Sequence, residues 1–98
     1  MFRHVVMFKW RPGTSPAEVE NVRRRLDELP RYIPEISMYR HGPDAGVNSG
    51  NFDYVVVGDF ADGQAYLVYR DHPIHQRLIT EVLAPLIAER SAVQYELD

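Results

Sequence analysis

Two residues able to hold or move a proton flank a helix break in Tyr69-Arg70-Asp71-His72-Pro73-Ile74-His75. Histidine titrates at about pH 6.5, so it takes or gives a proton at neutral pH. Tyrosine, with a pKa of about 10, donates a hydrogen bond to a carbonyl or oxyanion. The residue before a proline avoids the helical region, so the axis bends at His72 and can turn the Tyr69 hydroxyl and the His75 imidazole toward one cavity. His4, on an N-terminal strand, can complete a polar lining. The same spacing also fits a core histidine satisfied by a backbone carbonyl beside a packed tyrosine, and the spacing leaves both readings open. His41 ends a strand beside a glycine-rich loop and is expected in solvent. His72 and His75 are three apart, but Pro73 starts a helix between them and no third ligand converges, so no metal site is expected.

The elements that must carry these residues follow from periodicity. Arg3 to Trp10 alternates as a strand, with His4, Val6, Phe8 and Trp10 on one face and Arg3, Val5, Met7 and Lys9 on the other. Ser15-Pro16-Ala17-Glu18 combines an N-cap, a first-turn proline and a capping-box acid. Val19, Val22, Leu26 and Leu29 then form one apolar stripe, which Pro30 and Pro34 are expected to stop. Ile36 to His41 and Phe52 to Phe60 read as strands, separated by a polar loop. Asp62 caps a short helix to about Arg70. A second helix restarts at Pro73, carries a stripe from Ile74 to Ile87 and kinks near Pro85. Ser91 to Leu97 closes the chain as a strand. The order β-α-β-β-α-β, its second helix broken, is the ferredoxin-like split pattern: an α+β four-stranded antiparallel sheet with helices on one face.

The central strands are apolar on both faces, yet helices cover only one. Val5, Met7, Val55 and Val57 point to the uncovered side. Burying one such side chain contributes about 1.5–3 kcal/mol, so four left in water would be a substantial loss. A second copy of the sheet is the simplest cover, and a homodimer through these four residues is expected.

Composition narrows the partners. The chain has 98 residues, enough for one domain spanning 1–98, with 45% hydrophobic and 26% charged residues. A net charge of −3 argues against nucleic acid, since phosphate binding needs clustered positive charge. Arg23-Arg24-Arg25 lies among acids and reads as a solvated helix face. The third strand carries acids where an RNA-recognition sheet carries basic and aromatic residues. No cysteine is present, which excludes disulfides and thiolate metal sites. No apolar run reaches the roughly 20 residues of a membrane helix, and the N-terminus lacks a signal-peptide pattern. A cytoplasmic protein without a membrane partner is the expectation.

In order along the chain, His4-Val5-Val6-Met7-Phe8-Lys9-Trp10, Leu26-Asp27-Glu28-Leu29, Ile33-Pro34-Glu35-Ile36, Gly42, the third strand to Phe60, and Tyr69-Arg70-Asp71-His72-Pro73-Ile74-His75 resemble the stress-responsive α/β-barrel (Dabb) family. The last segment is similar to the family's Y-x-x-H-P-x-H signature. The resemblance implies a sheet-to-sheet dimeric α/β barrel with a pocket between sheet and helices. On this sequence its walls fall to Val6, Phe8, Val22, Leu26, Tyr54 and Val56. A plant member is a polyketide cyclase that closes a ring by intramolecular aldol condensation. Its acid–base pair matches Tyr69 and His75, and its first-strand pocket histidine matches His4. A further histidine of that cyclase, on the third strand, is replaced by Tyr54. Aromatics on its first helix are replaced by Val22, Arg23 and Leu26, which implies a differently shaped pocket. The expected function is a small-molecule pocket for a ligand with carbonyl groups, with cofactor-free acid–base chemistry by His75, Tyr69 and His4. The alternatives are a non-catalytic, stress-related binding dimer and, by fold analogy alone, a cofactor-free monooxygenase.

Overall fold

Strand β1 (Phe2–Trp10) lies between β3 (Tyr54–Phe60) and β4 (Ile87–Glu96), with β2 (Met38–Pro43) on the far edge beyond β3. All neighbours are antiparallel. The structure is a computed structural model and describes residues 1–97. The order β2-β3-β1-β4 is that of the split β-α-β pattern.

Helix α1 (Pro16–Tyr32) starts where local chemistry dictates. The Glu18 N–H donates to Ser15 Oγ at 3.1 Å, and the Ser15 N–H donates to Glu18 Oε1 at 2.9 Å. Its stripe of Val22, Leu26 and Leu29 is buried. The helix runs through Pro30 instead of stopping there. Proline removes one bond near the end of the helix, but the Ile33 N–H still reaches the Leu29 carbonyl at 3.0 Å, and both side chains are buried.

The second helical region comprises α2 (Gly63–Asp71), α3 (Pro73–Leu78) and a π-helical turn (Ile79–Leu83). Asp62 caps α2 by accepting from the Ala65 N–H at 2.9 Å. The π turn replaces the continued helix expected to Ile87. Pro85 has no N–H to offer and its ring crowds the preceding turn; the wider turn lets the Ala84 N–H reach the Ile79 carbonyl at 2.8 Å. The chain therefore leaves the helix early, and β4 begins at Ile87 rather than Ser91. β2 is likewise displaced from the expected Ile36–His41, because the Ile36 N–H closes a turn onto the Ile33 carbonyl.

α2 packs on β1 and β3, and α1 packs on β2 and α3. The paired residues Val6–Val56 and Phe8–Tyr54, with His4 and Phe60, face these helices and are buried. On the opposite face, Val5 pairs with Val57 and Val93, and Met7 with Val55. There Met7 is 37% exposed, Val93 58% and Tyr95 47%. Both sides of the central strands are thus apolar, and the helices cover one.

Candidate active site

An unbroken helix would set Tyr69 and His75 about 120° apart around its axis, since each residue turns about 100°. The break at His72 removes that separation. His72 has extended backbone (φ −61°, ψ 133°), its N–H donates to the Tyr69 carbonyl at 3.2 Å, and its Nδ1 accepts from the Ile74 N–H at 3.1 Å. His72 therefore ends α2 and starts α3, which is a structural task. The turn brings the His75 ring over that of Tyr69, with centroids 4.2 Å apart and planes tilted by 30°.

His75 Nδ1–H donates to the Arg70 carbonyl at 2.9 Å, which fixes the tautomer and leaves Nε2 with its lone pair. No protein group bonds Nε2, and among the described residues no buried side-chain nitrogen lacks a partner, so Nε2 is open to the adjoining cavity. Burial lowers the pKa of His75, and the bond to the Arg70 carbonyl opposes that shift. The ring is neutral at pH 7 and can act as a base.

Tyr69 is 2% exposed, and its oxygen lies 2.7 Å from that of Tyr39. Burial pushes the Tyr69 hydroxyl up to about 12, while its bond with Tyr39 pulls the other way. Burial and Tyr69 together raise Tyr39 well above the ordinary tyrosine value. Either hydroxyl can donate across this contact; with Tyr39 as the donor, Tyr69's own O–H is left to donate to a ligand. Gly58 makes this pair possible: a Cβ there would lie 3.3 Å from the Tyr39 ring and 3.1 Å from the Phe60 ring.

His4 stands between Gly58 and Gln94 in the strand register. Gln94 Nε2–H donates to His4 Nδ1 at 2.8 Å, so the neutral ring carries its proton on Nε2. Burial, then the positive charge of Arg90, then His75, lower its pKa to about 4. His4 is thus a neutral hydrogen-bond donor at pH 7.

These groups share a cavity of about 410 Å³ between sheet and helices. His4, Tyr39, Tyr66, Tyr69 and His75 form its polar wall, and Val6, Phe8, Leu26 and Val56 its floor. The π turn adds Ile79 and Leu83, and Arg70 and Arg90 also line the cavity. A base with a free lone pair and two neutral donors in an apolar chamber suits a carbonyl compound that must lose a carbon-bound proton.

Two expected pocket residues lie elsewhere. Val22 is fully buried in the core and does not reach the cavity. Tyr54 packs against Trp10 and bonds His41 Nδ1 at 2.8 Å, which turns its hydroxyl away to the β2 edge. His41 is not in solvent: its side chain is 5% exposed, and its Nε2 bonds Asp27 Oδ1 at 2.7 Å. α1 lies over β2 and brings Asp27 down onto it, a tertiary placement that a strand-end histidine does not reveal. Tyr39, Tyr66, Gln94 and Arg90 were not among the expected site residues. Tyr39 sits two positions from His41 on one strand, so alternation could have placed it on the helix-facing side. Gln94 is ninety residues from His4, and nothing local links them. Among the described residues no cluster of three His, Cys, Asp or Glu could hold a metal ion.

A family model, Stress Responsive A/B Barrel Domain, matches residues 2–97. No curated protein matches the sequence. A dimeric ferredoxin-like protein of unknown function from Thermobifida fusca is 38% identical, with TM-score 0.91 over 98% of this chain and 90% of its own. A dimeric protein of unknown function and ferredoxin-like fold from Bacteroides fragilis is 25% identical, with TM-score 0.81 over 98% and 95%. A hydroxynitrile lyase from Passiflora edulis has TM-score 0.86 over 99% and 93%, and at 17% identity it shares the fold alone.

Proposed function

This chain belongs to the stress-responsive A/B barrel (Dabb) family, and on that premise we propose that it is a homodimer whose helix-side cavity performs acid–base chemistry on a small carbonyl compound. The observation that carries the reading is the pinned His75. Its Nδ1–H is held by the Arg70 carbonyl, its ring lies 4.2 Å from that of Tyr69, and both line the cavity with His4.

In this reaction His75 Nε2 removes a proton from a carbon flanked by two carbonyls, which is acidic enough for a histidine base. The C–H electron pair moves into the adjacent carbonyl, and Tyr69 O–H donates to the enolate oxygen that forms. His4 Nε2–H orients a second carbonyl or a water. The enolate carbon then attacks a further carbonyl of the same molecule, a cyclase-like aldol closure. The new alkoxide takes the proton held on His75, which returns the base to its starting state. No cofactor takes part in these steps.

The dimer reading is supported by the uncovered apolar face carrying Val5, Met7, Val55 and Val57, and by the dimeric state of the relative from Thermobifida fusca. Joining two such faces leaves each helix-side cavity intact.

The test is turnover of linear poly-β-keto substrates by the wild type, His75→Ala and Tyr69→Phe. Loss of a general base is expected to slow turnover by about 10²–10⁴-fold. Loss of an oxyanion donor is expected to slow it by about 10²–10³-fold. Wild-type rates in both folded variants would remove these residues from any mechanism. Binding without turnover in the wild type would favour a purely ligand-binding dimer.

A further inference from the structure

The charges around the cavity are one-sided. No Asp or Glu lines it, while Arg70 and Arg90 do. Arg70 is already engaged, its guanidinium bonded to both oxygens of Asp71 at 2.9 and 3.1 Å. Arg3, Lys9 and Arg23 likewise have acidic partners. Arg90 has no ion-pair partner among the described residues. It stands opposite Phe8 in the β1–β4 register, on the helix-facing side of an edge strand. Its charge reaches His4 and His75, where it adds to the lowering by burial, and Tyr66 and Tyr69, where it partly offsets the rise that burial causes. Both cavity histidines are neutral at pH 7, so Arg90 is the one unpaired positive charge in the lining.

We infer that the cavity takes an apolar molecule bearing a carboxylate, which Arg90 holds at the β4 side while the rest lies on Val6, Phe8 and Leu26. The inference rests on the pocket reading above and adds the class of ligand. Arg90 is exposed at the edge of the lining, where a guanidinium matches a carboxylate with two parallel N–H donors. A lone cation beside an apolar chamber also draws an anion toward the opening. A carbonyl compound held there at its acid end presents its chain to Tyr69 and His75.

The test compares octanoate with 1-octanol by protein-detected NMR titration, in the wild type, Arg90→Gln, Arg90→Lys and Arg77→Gln. Arg77 is exposed on α3 and lies outside the cavity lining. In the wild type octanoate is expected to bind about two- to fivefold tighter than octanol, the worth of an ion pair to an exposed guanidinium. Shifts should fall on His4, Tyr69, His75 and Leu26. Arg90→Gln should erase the preference, Arg90→Lys should keep part of it, and Arg77→Gln should leave it unchanged. Equal affinities in the wild type, or a preference that survives Arg90→Gln, would overturn the carboxylate inference while the pocket stands. Shifts confined to the open sheet face, or no binding of either probe, would overturn the pocket and this inference together.

Discussion

His4 should make the protein less stable in mild acid, and the size of the effect follows from its surroundings. Buried at 4% exposure, its ring stays neutral down to a pKa of about 4, against 6.5 when the chain is unfolded. Below pH 6.5 the unfolded chain binds the proton and the folded protein does not, so stability rises with pH across this window. It is complete above about pH 6.5, falls by about 1.4 kcal/mol per pH unit, and levels off near the folded pKa. Between pH 7.5 and 5 the loss from His4 amounts to about 2 kcal/mol. With a urea slope of about 1–2 kcal/mol/M, the midpoint moves by about 1–2 M. The assay is urea unfolding of wild type and His4→Gln at both pH values, at one protein concentration because assembly contributes to apparent stability. His75 is shifted in the same direction and cancels in the comparison. Asp59, held below the usual carboxylate range by Arg3, titrates outside the window. The variant should lose about 2 kcal/mol less than the wild type on acidification. Equal losses in the two proteins would refute the claim that His4 is kept neutral by burial.

Two further expectations concern the rest of the molecule. Val55→Asp places a carboxylate on the open sheet face, twice over in a two-fold dimer, and burying an unpaired charge costs several kcal/mol. Sedimentation should show a monomer, and an unchanged dimer would exclude this face as the interface. His41→Ala should destabilise by about 2 kcal/mol, because the Tyr54 hydroxyl is left without its partner. Adding Tyr54→Phe should recover part of that loss in a urea double-mutant cycle; fully additive losses would mean the two residues are not coupled.

Local chemistry made much of this protein legible. The Ser15–Glu18 capping box, the Asp62 cap and the bend at His72-Pro73 are decided within a few residues, and each forms where the sequence places it. Alternation along Phe2–Trp10 and Tyr54–Phe60 separates the two strand faces, because successive side chains point to opposite sides. It also marks the excess of apolar surface that one layer of helices does not cover. The family signature at Tyr69–His75 lies on the same short stretch. Where competing local bonds were nearly balanced, packing decided instead. α1 passes Pro30 because Leu29 and Ile33 are buried, and the widened turn before Pro85 moves the start of β4 to Ile87.

The site itself is a matter of tertiary structure. His4, Tyr39, Arg90 and Gln94 are scattered along the chain, and only the antiparallel register of β1 with β3 and β4, and of β3 with β2, sets them beside α2 and α3. Tautomers, shifted pKa values and an unpaired cation arise from burial and through-space contact, which the sequence does not contain. The same physics removed Val22 and Tyr54 from the cavity and seated His41 between Asp27 and Tyr54. Periodicity states which face a side chain takes; three-dimensional packing decides what it meets there.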